Sequence, residues 1–136
     1  MNKNSQETLH RVTQNDPSLT KLRLADNIYG VYDGDFYSDN SDDYSTLGAA
    51  IANNTHLDRM VVTLSDGIPL GVADRGFYDD LKSNSSISNL QLWCYNRNDI
   101  AGDVGQEILQ AYQENSSHLT EIIIQSASLQ SGGDRV

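Results

Sequence analysis

The chain has little of what usually announces chemistry. Its 136 residues include one Cys, two Pro and one Trp. A single Cys closes no internal disulfide, which points to a reducing compartment such as the cytoplasm. Cys94 has no His or Asp at a recognisable spacing and reads as a small packed hydrophobe. No apolar run approaches the ~20 residues of a spanning helix, and the N-terminus carries no hydrophobic targeting region. Basic residues are scarce, 9 Lys and Arg against 19 Asp and Glu, for a net charge of −10. Nucleic acid and anionic membrane both require a basic footprint, so neither is an expected partner. Phosphate loops of the G-x-G-x-x-G or G-x-x-x-x-G-K-[ST] kind are absent. The histidines His10, His56 and His118 form no set. The last two precede equivalent strands two apart in a sheet, about 10 Å from one another, too far to share a zinc ion. No enzyme and no cofactor are expected.

What the chain does have is a period. Four segments carry three apolar residues in one pattern: Leu19, Leu22 and Leu24; Leu57, Met60 and Val62; Ile87, Leu90 and Leu92; Leu119, Ile122 and Ile124. The first anchors lie 38, 30 and 32 residues apart. Ten places before each anchor stands Leu9, Leu47, Phe77 or Leu109, within helically spaced apolar residues. An Asn precedes each anchor by three or four places (Asn15, Asn53 with Asn54, Asn84, Asn115). Three of these open formal glycosylation signals at Asn53, Asn84 and Asn115, which the turn chemistry of the repeat explains without any sugar. Each unit is thus a short helix, an Asn/Ser turn and a short strand. Helices are expected near 5–14, 43–53, 73–83 and 103–114, and strands near 20–25, 58–63, 88–93 and 120–125. Asp103 with Gln106 has the makings of a cap for the fourth helix.

An L-x-x-L-x-L strand with a helical return and a period near thirty resembles the leucine-rich repeats of the ribonuclease-inhibitor-like type. The resemblance covers roughly residues 5–130. Leu24 leads to Asn27 and Tyr29, and Ile124 to Ala127 and Leu129, as in that family, whereas Val62 and Leu92 do not continue the pattern. It implies an α/β fold, a right-handed βα solenoid, forming one domain over residues 1–136. Short parallel strands would line the concave side and helices the convex side. It also implies a recognition scaffold rather than an enzyme. Asp134 follows Asp103 by 31 residues, one period, so the chain is expected to belong to a longer array. An open end of this kind would permit end-to-end self-association.

The first interval is the longest, and the excess is acidic. Residues 25–43 hold six Asp (Asp26, Asp33, Asp35, Asp39, Asp42, Asp43) and no Lys, Arg or Glu, interleaved with Tyr29, Tyr32, Phe36 and Tyr37. Hard cations favour clustered carboxylates. Asp33, Asp35, Asp39, Asp42 and Asp43 are therefore weak metal candidates, and a calcium-responsive domain is one alternative function. The EF-hand pattern fails, since from Asp33 the sixth place is Ser38 rather than Gly. A solvated insertion is the plainer expectation.

Strand residues between the apolar anchors point the other way. Aligned by repeat they form three columns: Lys21, Arg59, Asn89, Glu121; Arg23, Val61, Gln91, Ile123; and Ala25, Thr63, Trp93, Gln125. Lys21, Arg23 and Arg59 make a basic corner on an acidic chain, while Val61, Trp93 and Ile123 are apolar. Arg and Trp are enriched in binding hot spots. The expected function is a non-enzymatic protein–protein interaction module that grips a partner protein with Lys21, Arg23, Arg59, Val61, Gln91, Trp93, Glu121 and Ile123. A purely structural segment of a longer array is the other alternative.

Overall fold

A computed structural model describes residues 1–25, 31–64, 75–94, 110 and 121–126. It is an α/β fold. In chain order the elements are α1 (Lys3–Thr13), β1 (Lys21–Leu24), β2 (Asp35–Phe36), α2 (Ser41–Asn53), β3 (Arg59–Leu64), α3 (Arg75–Ser83), β4 (Asn89–Cys94) and β5 (Glu121–Ser126). The strands form one five-stranded sheet in the order β2-β1-β3-β4-β5, every pair parallel. Parallel neighbours require a crossover connection, which α2 and α3 occupy in two of the links.

Local signals place the helices. Asn2 caps α1, its side-chain oxygen accepting from the Ser5 N–H, and Asn40 caps α2 by accepting from the Asp42 N–H. Asp42 and Asp43 sit in the first turn of α2, where carboxylates suit the positive end of the helix. Inward residues from α1, α2 and α3 (Val12; Leu47 and Ile51; Phe77 and Leu81) join Leu22, Leu24, Met60, Val62 and Leu90 in one core. The helices therefore share one face of the sheet. Gly48 lets α2 lie close on α3, because a Cβ there would stand 2.8 Å from the Asp80 carboxylate and 3.1 Å from the Phe77 ring.

Two buried amides join successive units. The Asn54 oxygen accepts from the His56 and Leu57 N–H groups, while its amide donates to the Val12 carbonyl. Asn84 repeats this one unit on, accepting from Ser86 and Ile87 and donating to the carbonyls of Ile51 and Asn54. Asn84 is fully buried, so its formal glycosylation signal is closed in the folded chain.

The expected solvated insertion is corrected in part. Its second half supplies β2 and the start of α2, and Asp35, Phe36 and Ser38 are buried. Phe36 meets Tyr44 edge-on at 5.2 Å, and the Tyr44 hydroxyl accepts from the Ser38 N–H at 3.1 Å. A two-residue strand leaves no periodicity to read, which is why it escapes a pattern search. Of the expected fourth helix over 103–114 only Gln110, which is helical, is described; the Asp103 cap and the open C-terminal end lie outside the described residues.

Candidate functional site

The face of the sheet turned away from the helices is the candidate site. Register stacks it in rows. Lys21, Arg59, Asn89 and Glu121 pair in one row, Arg23, Val61, Gln91 and Ile123 in the next, and Thr63, Trp93 and Gln125 in the third. Lys21 and Arg59 are exposed, Gln91 is half-buried, and Asn89, Val61 and Thr63 are buried. Val61 was expected to be exposed. At 6 % exposure it forms part of the floor instead, and the face presents polar and cationic groups. Side chains of Trp93, Glu121 and Ile123 lie outside what the structure describes, so only their backbone register is placed.

Arg23 does not stand free in a basic corner. Its Nε donates to Asp35 Oδ1 at 2.8 Å and its Nη2 to Asp35 Oδ2 at 2.6 Å. The fork and the carboxylate match geometrically, and charge-assisted bonds of this kind are the strong ones. The Tyr32 N–H also donates to Asp35, and the Arg23 guanidinium lies 5.8 Å from the Tyr32 ring centre. Gly34 makes this turn possible. Its φ is +83°, and a Cβ there would stand 2.5 Å from the Lys21 carbonyl oxygen.

The acidic side chains are dispersed by their partners. Asp35 belongs to Arg23, and Asp33 accepts from Arg11 Nη1 at 2.5 Å. Asp43 accepts from the Ser38 hydroxyl. Asp39 and Asp42 are exposed, and Asp26 lies outside the described residues. Among the described residues no three His, Cys, Asp or Glu gather where they could hold a metal ion. Arg11 also donates to Asp16 at 2.9 Å. The Ser18 N–H first, then Arg11, hold the Asp16 carboxyl down from 3.8 to about 2. Burial, then neighbouring Asp79, pushes the Asp80 carboxyl up. The Arg23–Asp35 and Arg11–Asp33 pairs carry no sequence signal, because each depends on where β2 docks. His56 is exposed, its Nδ1 3.2 Å from the Asn15 side-chain oxygen. Among the described residues no helix is long and apolar enough to cross a membrane.

No protein-family model and no curated protein match the chain. Solved structures do. The C-terminal domain of tropomodulin from Caenorhabditis elegans aligns over 96 % of this chain and 88 % of its own, at 14 % identity and a TM-score of 0.51. The likeness is to a tropomodulin-type domain. A leiomodin-1 structure titled actin-binding site 2 aligns over 92 % of this chain and 81 % of its own, at 15 % identity and a TM-score of 0.46. At these identities the likeness concerns the fold alone. The likeness to the tropomodulin domain corrects the expected ribonuclease-inhibitor-like leucine-rich repeat, and with it the expected solenoid. The sheet agrees with the correction. Four equal units would give four strands, whereas the longer first interval places a fifth, β2, against β1 and away from β3.

Proposed function

We propose that this chain is a non-enzymatic protein-interaction module whose working surface is the face of its sheet opposite α1, α2 and α3. The observation that carries the reading is the continuous row of Lys21, Arg59, Asn89 and Glu121 across four parallel strands, with Arg23, Val61 and Gln91 in the row beside it. A hydrogen-bonded sheet fixes these positions without a partner, and preorganised surfaces lose little entropy on binding. Actin binding is a property of the leiomodin domain, so actin enters here only as a probe. A calcium-responsive role has less support, since Asp33 and Asp35 are already engaged by arginines.

Cross-linking capture tests the reading. Wild type would be compared with a Lys21→Glu, Arg59→Glu variant and with a Glu7→Lys control on the exposed side of α1, each shown to be folded. Proteins held by wild type and control but lost by the face variant support it, purified actin being run alongside. Equal capture by all three would place the interaction elsewhere and end the reading.

A further inference from the structure

Lys21 and Arg59 are direct register neighbours on β1 and β3, both exposed, and neither has an ion-pair partner among the described residues. Adjacent strands lie about 4.8 Å apart, and like charges directly opposite are destabilising. This is unexpected in a chain with 19 acidic and 9 basic residues, where carboxylates to neutralise them are plentiful. Two other described cations are already paired, Arg23 with Asp35 and Arg11 with Asp16 and Asp33. Beside the exposed pair, Asn89 in the same register row and Val61 in the next are buried. What the described residues present here is therefore a cationic, polar shelf rather than an apolar one.

We infer that Lys21 and Arg59 form a seat for an acidic, Asp/Glu-bearing segment of a partner protein. The inference rests on the face opposite α1, α2 and α3 being the working surface. Charge complementarity selects the occupant, because these two cations supply what an acidic segment needs. The net charge of −10 selects against extended polyanions. A nucleic acid or an anionic bilayer brings many charges within the ~8 Å screening distance and meets the field of the whole molecule. A short segment can contact the shelf alone. Arg59 presents a planar fork suited to a carboxylate, and Lys21 a compact ammonium beside it.

The test uses a fluorescein-labelled octapeptide of alternating Glu and Ser, titrated against the whole chain by fluorescence anisotropy at low salt. Saturable binding is expected, with Lys21→Gln and Arg59→Gln each weakening it about two- to fivefold and physiological salt weakening it further. A Gln/Ser peptide should not bind, and Lys3→Gln on α1 should match wild type. Melting supplies a second readout: both shelf variants should melt no lower than wild type, since each removes a like-charge neighbour. No saturable binding, or equal binding by the variants, overturns the inference. So does binding of phosphatidylserine vesicles or single-stranded oligonucleotide, but not the peptide, with the same dependence on Lys21 and Arg59. If face variants lose their captured protein while the Glu peptide fails to bind wild type, only the acidic-segment inference falls.

Discussion

At the scale of single residues, Asn54 and Asn84 show how a polar side chain earns a place in a core. Each amide oxygen takes two backbone N–H groups of its own turn, and each NH2 reaches a carbonyl of the preceding unit. Asp16 stands at the same distance before its anchor, Leu19. It is half-buried and turns to Ser18 and Arg11 instead. An amide is needed only where a carbonyl waits. Asn84→Ala should cost about 3 kcal/mol, because several buried backbone groups lose their partner at once. Asn84→Asp is the sharper variant, since it aims a carboxylate at two carbonyls in a fully buried site. Its folded-state pKa must rise above the unfolded value. Stability is then retained at low pH and lost as pH climbs through that raised value. Urea unfolding at pH 4 and pH 7 checks this: the Asp variant should be nearer wild type at pH 4, and the reverse order would refute the amide assignment.

Elements were legible in proportion to how often their pattern recurs. The last two apolar residues of each triplet lie on strands, two places apart as alternation requires, and the first anchor precedes the strand. Leu22, Met60 and Leu90 share one register row, as do Leu24, Val62 and Leu92. From that alignment the rows of the opposite face could be written down. What could not be read was anything dictated by a single contact. β2 has two residues and no period, and Val61 alternates like an exposed residue yet is covered. The repeat was also given the wrong family, because an apolar triplet records burial of a parallel strand and says less about how the first unit closes the sheet edge. Gly48 is another single-contact feature, placed where α2 crosses α3. Ala is a better helix former by about 1 kcal/mol. Here its methyl group would press on Phe77 and on the Asp80 side chain at 3.3 Å and closer. Packing should win: Gly48→Ala is expected to destabilise by about 1 kcal/mol. Pairing it with Asp80→Ala should recover much of the loss, and a double-mutant cycle on thermal melts reads that coupling.

The whole molecule carries ten net negative charges, so its behaviour toward cations is its most revealing bulk property. Two responses to calcium must be told apart. General screening of an acidic surface raises stability with any salt and depends on ionic strength. A bound ion stabilises by mass action, and by about 2.7 kcal/mol when present at a hundred times its dissociation constant. The geometry favours the first. Asp33 and Asp35 point to Arg11 and Arg23, Asp43 accepts from Ser38, and Asp42 lies in a helical first turn. Gathering Asp33 and Asp35 around one ion would mean opening the Arg11–Asp33 and Arg23–Asp35 pairs, the second of which links β2 to β1. The melting temperature should therefore rise equally in calcium, magnesium and sodium chloride at matched ionic strength. A calcium increment of several degrees over magnesium, abolished by Asp35→Asn, would show that the loop prefers a cation to its arginine and would return the calcium-responsive alternative to first place.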